Sequence, residues 1–302
     1  MGRIRVYSDK QQAYEFVLKL ILEIWPLAKL IGLATGSTME GLYELLVQVC
    51  QDRKLSCAGK YFINLDEYVG LARDHLQSYA NYLWRNFYAR VDVDMKNVRG
   101  PTCSSNDKIA EICISLEKFI QEHGPVTFWL LGIGENGHFA FVEPGPHDEK
   151  KRRYHAVELS LSTIKANSRL FNNDTDAVPK KALSAGLSDV LEAEYLFQLA
   201  FEEKKAWAVG ISVLGPKTPW VPSSQLQGHP NWTLVVDEQA GMEILKYLAE
   251  EKIRPKEDSD GEKFYEIVSE AGVAHQVWVS RDVASKHGIP TRTLEETTAD
   301  LR

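Results

Sequence analysis

Short apolar runs, each followed by polar or glycine-bearing residues and then by a helical pattern, recur along most of the chain. This alternation constrains the fold more than any other feature. Residues 9 to 28 place Ala13, Phe16, Val17, Leu20, Ile21 and Ile24 on one helical stripe after a Ser8 or Asp9 cap. Lys29 to Ala34 reads as a buried strand that ends in Thr35-Gly36-Ser37-Thr38, and a second helix runs through Leu42, Leu45, Leu46 and Val49. Tyr61 to Leu65, Val126 to Leu131, Glu194 to Ala200 and Thr233 to Val236 are further strands. The pattern predicts an α/β fold: a doubly wound, mainly parallel, Rossmann-like sheet flanked by helices. Ligands of such sheets sit outside the carboxyl ends of the strands. Three polar or glycine-rich motifs lie at those ends, after Ala34, Leu65 and Leu131.

Residues 1 to 250 are expected to form the main domain. From Glu251 to Glu262 the chain carries almost no core-forming residues and reads as an exposed loop or linker. Val273 to Ser280 offers one more strand and the last dozen residues look frayed, so 251–302 is expected to be a C-terminal extension packed on or trailing the main domain. The N-terminal residues are read as a polar lead-in. With 35 Lys and Arg against 42 Asp and Glu, the net charge is −7, which disfavours a binder of nucleic-acid backbones. Any anion must meet locally placed cations and amides. Cys50, Cys57, Cys103 and Cys113 show neither metal-ligand nor disulfide spacing and read as free thiols. No apolar run reaches the roughly 18 residues of a membrane span, and no secretory signal is visible. These features predict a soluble, cytoplasmic protein whose cysteines hold no metal.

The turn Leu33 to Thr38 would aim its amides and the following helix N-terminus at one point, where a phosphate can bind at Gly36, Ser37 and Thr38. The plain alternative is a helix capped by Ser37 or Thr38. Asn64 to Leu71 sets two carboxylates at a strand end. Neighbours in a strand point to opposite sides, so Asp66 is the candidate base and Glu67 a structural residue. Gly132 to Gly145 combines sharp-turn glycines, a titratable His138 and Glu143 five residues on, a pattern suited to a proton relay. No ribose-binding acid follows at suitable spacing, which argues against a dinucleotide site. Arg169, in a polar stretch suited to a mobile loop, and Lys205, after the Glu194 to Ala200 strand, are candidate cations. Lys150-Lys151-Arg152-Arg153 reads as a solvated basic loop.

Taken together, T-G-S-T, D-E-Y-V-G-L with Ser78-Tyr79, G-H-x-A-F-x-E-P-G, A-N-S-R and V-P-x-x-A-L (Val178 to Leu183) resemble the glucosamine-6-phosphate deaminase (isomerase) family in order and spacing over about residues 10 to 245. The resemblance implies conversion of glucosamine 6-phosphate and water to fructose 6-phosphate and ammonia, without a cofactor. It implies Asp66 as the base that moves a proton between C2 and C1, and His138 as the acid/base that opens the pyranose ring. Glu143 and Asn136 would complete the His138 relay. Phosphate would lie on Gly36, Ser37 and Thr38 with Arg169 and Lys205 as countercharges. A homo-oligomer is compatible, since members range from monomers to hexamers.

The chain departs from the family at several points. Asn136 stands where many members carry Asp, Met39 where Pro is usual, and Val142 where an Asn precedes the Glu. The family's glycine before the lysine is replaced by Glu202-Glu203, which makes Lys204 an alternative to Lys205. Two other readings remain: a 6-phosphogluconolactonase, which shares the fold but follows its G-H with different residues and has no use for Asp66, and a sugar-phosphate-binding regulator with weakened catalysis. In the loop after Glu143, Pro146 lacks an amide hydrogen and Asp148 and Glu149 add negative charge. Only Arg153 matches the family's effector-binding pattern. Hyperbolic substrate dependence and no activation by N-acetylglucosamine 6-phosphate are therefore expected. Sigmoidal kinetics that this sugar makes hyperbolic would show an effector site rebuilt from the basic run.

Overall fold

A computed structural model of the chain describes residues 2–146 and 153–293. Its first strand, β1 (Gly2–Tyr7), hides Ile4 and Val6 and turns Arg3 to solvent, so the segment is a core strand and not a polar lead-in. Asp9 caps α1 (Lys10–Ile24) by accepting from the Gln12 amide at 3.0 Å. Then follow β2 (Leu30–Leu33), α2 (Ser37–Gln51), β3 (Tyr61–Asn64), β4 (Asp66–Tyr68) and α3 (Tyr79–Asn86). Next come β5 (Val98–Arg99), α4 (Ile109–His123), β6 (Val126–Leu131), β7 (His155–Glu158), α5 (Leu161–Asn167), β8 (Lys181–Ser184) and α6 (Leu187–Leu191). The last third holds β9 (Tyr195–Ala200), α7 (Ala206–Leu214), β10 (Trp232–Asp237), α8 (Met242–Glu250), β11 (Lys256–Glu257), β12 (Lys263–Val268), β13 (Ala274–Val279) and α9 (Arg281–Lys286).

Ten strands form one sheet in the order β11-β12-β13-β1-β10-β9-β6-β2-β3-β5. All its pairings are parallel except β12 with β13 and β11 with β12. Strands β2, β6 and β10 are buried along their whole length, as parallel strands between helical layers are. A second, antiparallel sheet of order β4-β8-β7 continues from the carboxyl ends of β2 and β3, joined to them through Leu65. It has its own small core of Tyr68, Phe141, Val157, Leu159, Ile164, Phe171, Val178 and Ala182. Asp66, read from sequence as the end of the buried strand, instead opens β4 in this second sheet. No helix among the described residues is long and apolar enough to cross a membrane.

The segment read as a loop from Glu251 to Glu262 contains β11, and β13 lies against β1 in parallel register, Ile4 opposite Val277. Tyr265, Ile267, Val277, Val283 and Ile289 belong to the main core. Burying a side chain of this size is worth about 1.5–3 kcal/mol, so five together rival a typical net stability of about 5–15 kcal/mol, before ordering entropy is subtracted. A chain ended after Glu250 is expected to lose at least about 10 °C of Tm or to fail to fold. Unchanged thermal unfolding of the shortened chain would make 251–302 an attachment only.

Candidate active site

The loop from Ala34 into α2 is shaped by three tyrosines. Tyr43 Oη donates to the Ala34 carbonyl at 2.5 Å, Tyr82 Oη to Gly36 at 2.8 Å and Tyr14 Oη to Thr38 at 3.1 Å. With these carbonyls tied back, the first amides of α2, which have no acceptor within the helix, are left for a ligand. Gly36 is the N-cap, at φ 104°, and no side chain caps the helix. The capping alternative for Ser37 and Thr38 is thus not what forms. No single motif signals the tyrosines, which come from α1, α2 and α3.

Asp66 and Glu67 are neighbours with opposite surroundings. Glu67 is buried away from the cleft and accepts from Tyr68 N at 2.9 Å, Ser78 Oγ at 2.9 Å, Tyr79 N at 3.0 Å and Ala80 N at 2.8 Å. It fastens the start of α3 to β4. Asp66, only 7% exposed, accepts no side-chain hydrogen bond among the described residues. Burial, and then the Glu67 charge, push its carboxyl up to about 8.

His138 lies on a turn whose tightness depends on Gly134: a Cβ there would stand 2.2 Å from the imidazole. Its Nδ1 is 2.6 Å from Asn136 Oδ1, and Asn136 Nδ2 donates to Glu143 Oε2 at 3.2 Å. A carboxylate only accepts, so it fixes which end of the amide it faces; Oδ1 then faces His138, and Nδ1 carries the proton. Nε2 keeps the lone pair. Glu143 is thus linked to His138 through Asn136, the two residues that the resemblance sets beside it. Burial lowers the His138 pKa despite the Glu143 charge, favouring the neutral ring. Glu143 also accepts from Thr163 Oγ1 at 2.5 Å and from Ser160 Oγ at 3.2 Å. Of these two hydroxyls only Ser160, the N-cap of α5, has a local sequence signature.

Asp66, Asn136, His138, Gly36, Ser37, Thr38, Arg169 and Lys205 line one cleft of about 870 Å³; Glu143 stands behind Asn136. Arg169 sits in the 3-10 turn Ser168–Phe171, anchored by buried Phe171, and not in a loose loop. Lys204 pairs with Glu202 at 3.0 Å, whereas Lys205 has no ion pair among the described residues. Of the basic run, Lys150, Lys151 and Arg152 lie outside the described residues, as do Asp148 and Glu149. Arg153 is held by Asp189 at 3.3 Å and Glu192 at 2.7 Å. No group of His, Cys, Asp and Glu among the described residues could hold a metal ion.

No protein-family model matches the chain. Among curated proteins it is 40% identical over 224 residues to glucosamine-6-phosphate deaminase 2 of Giardia intestinalis, covering 73% of this chain and 82% of that one. It is 38% identical over 248 residues to glucosamine-6-phosphate deaminase of Staphylococcus epidermidis, covering 81% and 100%. Among solved structures it matches a monomeric glucosamine-6-phosphate deaminase with a TM-score of 0.75 and 31% identity, covering 80% of this chain and all of that one. The 6-phosphogluconolactonase of Leishmania guyanensis, at TM-score 0.63 and 20% identity over 80% and 98%, shares the fold. The chain belongs to the glucosamine-6-phosphate deaminase family.

The buried Asp66 generates a stability prediction. The folded protein keeps this carboxyl protonated up to about pH 8, while the unfolded chain ionises it from about pH 4. Its contribution is therefore fully present below about pH 4 and is lost as the pH rises towards 8. Asp66→Asn cannot ionise, and its Tm advantage over the parent protein is expected to grow from pH 5 to pH 8. An advantage that shrinks over that range would mean a carboxylate stabilised in place.

Proposed function

We infer that this protein converts glucosamine 6-phosphate and water into fructose 6-phosphate and ammonia, as a cytoplasmic enzyme of aminosugar catabolism. The observation that carries this reading is the buried Asp66 carboxyl, without a hydrogen-bond donor among the described residues, in the same cleft as His138 and Asn136. Neutral His138, with its Nδ1 proton held by Asn136, takes the C1 hydroxyl proton on Nε2 and returns it to the ring oxygen, which opens the pyranose. Asp66 removes the proton from C2 and delivers it to C1 through an enolamine. The resulting C2 iminium adds water and releases ammonia. A carboxylate whose conjugate acid has a pKa near 8 is a better match to a carbon-bound proton than an ordinary one. The phosphate is held by the amides of Gly36, Ser37 and Thr38, facing Lys205 and Arg169.

A lactonase needs no base at C2, and the lactonase likeness is one of fold alone. Ammonia release on mixing with glucosamine 6-phosphate tests the reading. Hydrolysis of 6-phosphogluconolactone without ammonia would select the lactonase, and binding without turnover the regulator. Asp66→Asn is expected to lower kcat at least about a hundredfold with sugar-phosphate binding nearly intact. Arg169→Ala is expected to raise KM, a lost charge-assisted contact being worth roughly 1.5–3 kcal/mol. Equal losses of binding and turnover at Asp66, or an unchanged KM at Arg169, would remove that residue from its role.

A further inference from the structure

Glu202 holds a backbone conformation that suits glycine. Its φ of 77° and ψ of 147° bring a Cβ against the neighbouring peptide. The conformation is kept by its amide, which reaches both carboxylate oxygens of Asp237 at 3.1 Å, and by its carbonyl, which accepts from Lys205 N at 3.0 Å. The side chain carried at this strained position lines the cleft together with Lys204, Lys205 and the start of α2. Its carboxylate binds Lys10 Nζ and Lys204 Nζ, each at 3.0 Å. Those bonds, that to Lys10 foremost, pull its pKa down to about 2, so it stays charged at any working pH.

The lysine next along the chain has the opposite status. Burial depresses the pKa of Lys205, Glu135 and Glu202 raise it, and Lys204 and Arg169 lower it. Lys204, Lys205 and Arg169 thus share one field, and one of the three is already neutralised by a carboxylate of the protein itself.

We propose that Glu202 is an internal competitor for the substrate phosphate: it occupies Lys204 in the free cleft and so sets how loosely phosphate-bearing ligands bind. The proposal rests on the phosphate site inferred above. Substrate and product carry the same phosphate, so the competition weakens both and hastens product departure. Glutamate at this backbone position costs stability, and the looser grip is what the side chain supplies in return.

Inhibition by inorganic phosphate, with steady-state kinetics on glucosamine 6-phosphate, tests this in the full chain. Glu202→Gln removes the charge and keeps the strain; Glu202→Gly removes both. In each, the Ki of phosphate and KM are expected to fall about three- to tenfold, as when one charge-assisted contact is gained. Only Glu202→Gly is expected to gain roughly 2–6 °C of Tm. Adding Lys204→Ala to Glu202→Gln is expected to restore the parent Ki. Phosphate binding that is unchanged or weaker in Glu202→Gln, while Lys205→Ala weakens it, overturns the proposal and leaves the phosphate site standing. Unchanged phosphate inhibition in Lys205→Ala removes the site, and the competitor with it.

Discussion

One extended segment, Tyr61 to Tyr68, serves two sheets, and the exchange takes place at Leu65. The Leu65 amide donates to Leu33 and completes the parallel ladder of β2 and β3. Its carbonyl accepts from Ala185 and begins the antiparallel pairing of β4 with β8. The strand end is fixed from both sides, by Tyr154 Oη on the Asn64 carbonyl and Tyr88 Oη on the Asn64 side chain, each at 2.7 Å. Everything in the cleft depends on this register. A slip of one residue would turn Glu67 into the cleft and Asp66 into the nest of donors, and acid and structural clamp would exchange places.

The three central carboxyl groups differ in what satisfies them. Glu67 has two amides and a hydroxyl from the start of α3 as well as the Tyr68 amide; Glu143 has two hydroxyls and an amide side chain. Asp66 has burial and, among the described residues, no donor. Hydrogen bonds to a carboxylate favour its charged form and burial the neutral one; at Glu67 the donors oppose burial without outweighing it, and its pKa stays raised. Two residues adjacent in sequence thus divide into a fixture and a group able to exchange a proton. Their chemistry is decided by partners 11 to 13 residues further along the chain.

The long apolar strands were legible, because strands buried on both faces leave an uninterrupted run: β2, β3, β6, β9 and β10 all lie within a residue or two of the segments read from sequence. Strand β1 escaped because arginines alternate with its core residues. Strands β4, β7 and β8 escaped because each is only three or four residues long and polar enough to pass for loop. The same limit governs the site. Asp66, His138 and Asn136 announce themselves beside glycines and strand ends. The tyrosines over the Ala34 loop and the hydroxyls on Glu143 are ordinary helix residues until tertiary packing brings them in. In the sequence Glu202 is only a missing glycine; its φ and its two lysine partners are properties of the folded chain.

Ser160 meets two demands with one oxygen. It caps α5 by accepting from the Thr163 amide at 3.2 Å and donates to Glu143 at 3.2 Å. Each demand alone has several solutions among the amino acids, but together they have few. Aspartate would cap the helix as well yet would set a second negative charge against Glu143, and alanine would satisfy neither partner. A residue that looks like routine helix punctuation is therefore nearly as restricted in what can replace it as the histidine at the far end of the same hydrogen-bonded chain.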